Sequence, residues 1–209
     1  MAIFKKIFLI FMNFLAHAYL SFNHPEVLVG NMISDFIKGN KKFDYPLSIQ
    51  NGITIHRLID EFTDNHFATK KAKQIFKQEL GLYVGAFVDI AFDYFLANDK
   101  YEFENGNALQ NFAINTYTSL DNNVAIFPEK FIPAFNSMKQ HNWLYNYQFD
   151  YGIERSFAGL TYRAKYINKE HKAFNVFLEN KTLLQTCYDD FFVDLKKFAL
   201  QQHQQFIHL

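Results

Sequence analysis

Apolar residues recur at three- and four-residue intervals along almost the whole chain, and strand-type alternation is rare. That period lines apolar side chains along one face of an α-helix. The pattern predicts helices near 11–21, 25–38, 46–64, 67–79, 82–97, 101–120, 128–138, 140–147, 149–160 and 170–205. The second opens with His24-Pro25-Glu26 and stops at Gly39, a sound start and stop pair. Residues 39–45 read as a polar loop, and Phe127-Pro128 marks a further helix entry. Asn105-Gly106-Asn107 reads either as a turn or as a break within a long helix. With only 8 glycines and 4 prolines in 209 residues, little interrupts the helices. No repeat, low-complexity tract or linker divides them. The expectation is one all-α domain, a helical bundle spanning 12–209.

The first residues stand apart. Met1–Met12 has a lysine pair and then an apolar run, like the first two parts of a secretory signal. No small-x-small cleavage site follows, the run flows into Asn13 and His17, and it is too short to span a bilayer. Residues 1–11 are expected to be an extension, with Met12 a plausible start.

Several of the predicted helices carry costly polar residues. His56, Asp60 and Asp64 fall at i, i+4 and i+8 on one face of a helix whose apolar side is Ile53, Leu58, Ile59 and Phe62. Burying an imidazole and two carboxylates without a partner is unfavourable, and a divalent cation would satisfy all three. Asn13/His17, Asn31/Asp35 and Asp89/Asp93 repeat the four-residue spacing on three other segments. Each pair taken singly is an ordinary structural feature. Together they resemble a site built in a bundle core from converging helices. The mixed N/O set suits Mn, Fe or Zn, and Mg if water fills most positions.

Composition narrows the classes. Aromatic residues make up 19% of the chain, but formal net charge is zero, so neither nucleic acid nor an anionic membrane is an expected partner. One cysteine, Cys187, rules out an intrachain disulfide and a thiolate zinc site, and fits a cytoplasmic protein. Lysine greatly outnumbers arginine. The three arginines, Arg57, Arg155 and Arg163, therefore invite a question, because a guanidinium grips phosphate bidentately.

Four ordered blocks resemble a known family: M-N-F-L-A-H (12–17), G-N-M-I-S-D-F (30–36), H-R-L-I-D-E-F-T-D (56–64) and D-I-A-F-D-Y-F-L (89–96), with G-L-T-Y-R (159–163) in support. They resemble the acyl carrier protein phosphodiesterase family, and the likeness covers nearly everything from Met12 onward. The resemblance implies an all-α enzyme similar to the HD-type metal-dependent phosphohydrolases. It implies hydrolysis of 4′-phosphopantetheine from holo-acyl carrier protein with a divalent cation, Mn²⁺ by preference. The site residues it carries over are His17, Asp35, His56, Asp60, Asp64, Asp89 and Asp93. The adjacent His-Asp doublet of HD enzymes reads His56-Arg57 here, so a carboxylate must come from Asp60 or from another helix.

The expected roles follow. His17, His56, Asp35 and Asp89 are the candidate metal ligands. Asp60, Asp64 and Asp93 are expected to orient a ligand or take a proton, and Arg57 or Arg163 to stabilise charge on the phosphate. A carrier protein is acidic, so Lys70, Lys71, Lys73 and Lys77 form an expected docking face, with Lys38, Lys41 and Lys42 after Asp35 as further basic residues. Two other readings stay open: an HD-like hydrolase of a nucleotide or other small phosphoester, and a non-catalytic metal-binding bundle. The chain has no E-x-x-H motif, which counts against a di-iron site.

Overall fold

A computed structural model describes residues 13–164, 166–167 and 172–207. Within them the chain forms eleven α-helices and no strand. The proposed extension over residues 1–11 and the start of the predicted helix 11–21 lie outside the described residues.

The first helices form the frame of the site. They are α1 (Phe14–Tyr19), α2 (Pro25–Ile33), a 3-10 turn (Ser34–Phe36), α3 (Leu47–Asn65), α4 (Phe67–Leu80) and α5 (Val84–Asn98). The rest of the bundle is α6 (Gly106–Asp121), α7 (Ile132–Gln140), α8 (Trp143–Asn146), α9 (Asp150–Arg163), α10 (Ala173–Glu179) and α11 (Lys181–Ile207). Helix α5 buries apolar residues on nearly every side, as a central helix must. It packs against α1, α4, α9 and α11. Phe87 on α5 and Phe157 on α9 lie tilted with ring centroids 4.8 Å apart, and Phe76 on α4 meets Phe157 edge-on. Each fully buried ring adds roughly 2–3 kcal/mol of transfer free energy, and their tilted and edge contacts fix the register.

The closest crossing joins α2 to α3. A Cβ on Gly30 would fall 2.4 Å from the Ile49 carbonyl oxygen, and one on Gly52 would fall 2.5 Å from that of Val27. Only two facing glycines allow the backbones so near. The crossing lies one turn before His56 and fixes that residue's height against α1.

Long apolar stretches in α4 and α5 would together suffice to cross a membrane by length and composition, but their side chains are mostly buried in the bundle. Gly81, at φ +53°, separates the two helices.

Some element boundaries differ from the sequence expectation. The predicted helix 101–120 starts at Gly106, because Asn105 Oδ1 accepts hydrogen bonds from the amides of Asn107 and Ala108. The predicted helix 170–205 is two helices. Asn180 interrupts it, with φ −112°, ψ 16° and its side-chain amide donating to the Val176 carbonyl. The helix expected to reach residue 38 ends at Ile33 and passes into the 3-10 turn, and residues 39–44 wind into a second 3-10 segment. Helix α1 stops early, before Phe22 and Asn23 take φ of 47° and 62°.

Candidate metal centre

Two α-helices and the 3-10 turn bring four of the predicted residues together. His17 comes from α1, Asp35 from the turn, and His56 and Asp60 from consecutive turns of α3. His17 Nε2 lies 3.2 Å from Asp60 Oδ1, and His56 Nε2 lies 3.2 Å from Asp60 Oδ2 and 3.4 Å from Asp35 Oδ1. The two imidazoles stack, with centroids 3.9 Å apart and planes 17° from parallel.

Both rings are buried, and none of their four nitrogens makes a geometrically sound hydrogen bond. The carboxylate oxygens are near Nε2 but off the N–H direction. One ligand atom from each of His17, His56 and Asp60 falls within 4.8 Å of the others. Two ligands bound ~2.1 Å from one ion lie roughly 3–4 Å apart, so this spacing fits a shared cation. Orphaned buried imidazole nitrogens facing a carboxylate are the polarity that a divalent ion would satisfy. Asp60 and Asp35 keep 37% and 21% of their side chains exposed, so the group opens to solvent on their side.

The charges are strongly coupled. For His17, burial and the neighbouring His56 lower the pKa, against the pull of Asp60 and Asp35. For His56, burial also lowers it, but the carboxylates of Asp60 and Asp35 win and the pKa rises. Burial would raise Asp60, yet the two imidazoles hold it below the usual carboxylate range. A proton on His56 thus provides the positive charge that a metal ion would otherwise bring.

The support of the site is equally specific. Both oxygens of Asp93 on α5 accept hydrogen bonds from the first amides of α1, Leu15 N at 3.0 Å and Ala16 N at 2.9 Å. Asn13 makes no side-chain cap, so Asp93 caps α1 from another helix. At the other end Asn31 donates to Ser21 Oγ, and that hydroxyl donates to the His17 carbonyl, both at 2.8 Å. Asp93 therefore holds the helix that carries His17, in line with the orienting half of its expected role.

Other expected residues sit elsewhere too. Asp64 is exposed and paired with Lys73 at 2.7 Å, away from the converging group. Arg57 donates to the Ile37 carbonyl at 3.1 Å, bracing the 3-10 turn against α3. Ser34 makes a parallel tie to the Ile53 carbonyl. Arg163 lines a separate cleft between α7, α8 and α9, and none of the four converging residues lines it. Asp89 is half-buried in a small cavity with Asn13 and Thr63. Burial pushes its carboxyl well above the usual range, Asp60 and Asp64 add to the rise, and Lys73 opposes it.

The profile of the acyl carrier protein phosphodiesterase family matches residues 12–195. This chain belongs to that family. It is 30% identical over 152 residues to the acyl carrier protein phosphodiesterase of Klebsiella pneumoniae strain 342, covering 73% of this chain and 79% of the relative. It is 31% identical to that of Pectobacterium atrosepticum, covering 65% and 70%. The protein of the same name in Shigella boydii is 26% identical but covers 87% of this chain and 94% of its own length. No solved structure matches the chain. The matched span includes every residue of the converging group.

Proposed function

We propose that this chain is a metal-dependent phosphodiesterase that hydrolyses 4′-phosphopantetheine from holo-acyl carrier protein. The name of the relatives supplies the substrate protein. The observation that carries the chemistry is the convergence of His17, His56 and Asp60 with four unsatisfied imidazole nitrogens.

A phosphodiester is an anion that repels hydroxide, and a divalent cation supplies the positive charge and the acidified water that such a hydrolysis needs. His17, His56 and Asp60 would hold it, and Asp89 would join them, since a cation relieves the repulsion that Asp60 and Asp64 impose on that carboxyl. Mn²⁺ is the ion we assign, the mixed N/O set being compatible with it. Asp35, at the solvent-facing edge and 3.4 Å from His56, takes the proton of the attacking water. The water oxygen forms the new P–O bond, the bond to the serine oxygen breaks, and that oxygen leaves with a proton. Lys73, paired with Asp64, opposes the negative charge on Asp89.

Docking follows from charge. Lys70, Lys71 and Lys77 are exposed on α4, whereas Lys73 is already paired. Lys41, with the exposed Phe43 and Leu47, borders the turn that carries Asp35. We assign these two patches to an acidic carrier protein, and place the enzyme with it in the cytoplasm. The domain is taken as 12–209.

Substrate choice separates this function from hydrolysis of a small phosphoester. Incubation with holo-carrier protein should release phosphopantetheine, while a panel of nucleotides should remain intact. Nucleotide hydrolysis with an untouched carrier protein would favour the small-substrate reading.

A further inference from the structure

Helix α1 carries a candidate metal ligand on one side and a tether on the other. His17 and Tyr19 are two residues apart, roughly 200° around the helix, so their side chains leave it in opposite directions. His17 faces His56 and Asp60. The Tyr19 hydroxyl donates to Glu102 Oε2, in the loop between α5 and α6. Lys196 Nζ on α11 donates to the same oxygen and lies 5.4 Å from the Tyr19 ring centroid. Phe103, Phe112 and Phe192 enclose that ring, with centroids 5.4, 6.0 and 6.1 Å away.

The Glu102 side chain is only 11% exposed, so its charge needs partners. Lys196 supplies the counter-charge, and a phenol donating to an ionised carboxylate makes a strong, directional hydrogen bond. The loop that carries Glu102 is itself braced. Asp99 Oδ2 accepts from the Tyr188 hydroxyl on α11 at 3.0 Å, and Asp99 Oδ1 from the Tyr101 amide at 2.9 Å. The Asp99 carbonyl accepts from the amides of Glu102 and Phe103. Tyr19 is thereby tied, through Glu102, to the long helix α11.

This tether does something that the Asp93 cap does not. Asp93 grips two backbone amides at the start of α1, close to the helix axis. Contacts near an axis hold the helix in place but resist its rotation weakly. A hydroxyl at the far end of a phenol ring resists rotation well. Turning α1 about its axis would move the His17 ring off His56 and pull the Tyr19 hydroxyl from Glu102 in the same motion. We propose that Glu102 is a positioning residue for the metal centre. With Lys196, and acting through Tyr19, it sets the rotation of α1 and so the placement of the His17 imidazole. The inference rests on the reading of His17 as a metal ligand.

The experiment uses the full chain and two readouts: Mn²⁺ affinity by calorimetry, and the His17 imidazole proton shifts by NMR without metal, which report its stacking on His56. Tyr19→Phe keeps the packed ring and removes only the hydroxyl. It should weaken Mn²⁺ by about fivefold or more, the lower range for a lost supporting contact, and move the His17 signals. Glu102→Ala should act alike, and the double variant should lose no more than either single one, because both cut one link. Tyr188→Phe is the control: it frees Asp99 in the same loop and leaves the bond to α1 in place. It should lower the melting temperature and change neither readout. Unchanged affinity or unmoved His17 signals in Tyr19→Phe would overturn the proposal. So would additive losses in the double variant, or an equal loss in Tyr188→Phe, which would mean general loosening. If the unaltered protein binds no Mn²⁺, the ligand reading fails, and the His17 signals alone decide whether the tether positions the ring.

Discussion

Asp93 and His17 never touch, yet Asp93 decides where His17 stands. Its two carboxylate oxygens hold the Leu15 and Ala16 amides, and the imidazole projects from the same single turn of helix. Six residues of helix have little stability of their own, so a cap borrowed from α5 fixes the ligand. Removing the acceptor strands two buried amides. Asp93→Ala should lower stability by about 2–4 kcal/mol, read by thermal or urea unfolding. It should also weaken metal binding by roughly 10–100-fold, as for a lost supporting contact. Normal metal affinity in a folded Asp93→Ala protein would show that α1 is held by other means.

Removing a member of the converging group should act differently. Asp60→Ala should abolish tight metal binding and reduce turnover by at least about a hundredfold. Helical content should be unchanged, because Asp60 is more than a third exposed and caps nothing. Metal content by plasma mass spectrometry and far-UV circular dichroism, measured on the same sample, distinguish ligand loss from unfolding.

Protons and metal compete for the same imidazoles. The His56 pKa is raised by Asp60 and Asp35, so this ring is protonated at neutral pH while His17, shifted downward, is neutral. A ligand must be deprotonated to bind. Metal binding should therefore release about one proton, and affinity should rise about tenfold per pH unit until His56 deprotonates in the free protein. Isothermal calorimetry in buffers of different ionisation enthalpy counts that proton. Affinity that is flat between pH 6 and 8 would remove His56 from the ligand set.

The glycine crossing gives a purely structural prediction. Gly52→Ala puts a methyl group 2.5 Å from the Val27 carbonyl oxygen, with backbone on every side. Helices α2 and α3 must separate, and a loss of about 2–4 kcal/mol is expected, comparable with severe overpacking. Gly30→Ala should behave alike. Chemical denaturation of the two variants checks this.

For docking, charge reversal at Lys70, Lys71 and Lys77 should raise KM for holo-carrier protein several-fold at low salt and leave kcat near its original value. The effect should fade as ionic strength shortens the screening length. An unchanged KM at low salt would assign docking to the Lys41 side of the site.

Much of this arrangement was legible in the sequence because helices make it periodic. The spacing of His56 and Asp60 placed both on one face, and helical period alone located α3, α4 and α5 closely. What spacing could not convey was the direction of the carboxylates on α5. Asp89 and Asp93 carry the same residue type one turn apart, yet one lies in a cavity beside the metal centre and the other caps α1. That distinction depends on where α1 begins relative to α5, which is a tertiary matter. Arg57 was similarly ambiguous, since its carbonyl partner comes from a turn that only the fold brings near. Asp60 was expected to orient a ligand or take a proton, whereas it is the carboxylate that both imidazoles face. The missing His-Asp doublet was the sequence signal that the carboxylate lies one turn onward.

The most direct measurement is the intact mass of holo-acyl carrier protein after incubation with this protein, with and without Mn²⁺, alongside the His56→Ala variant. The account predicts loss of the phosphopantetheine mass, with that fragment appearing free, only with metal and only with His56 in place. An unchanged carrier mass with metal bound, or equal release by His56→Ala, would contradict it.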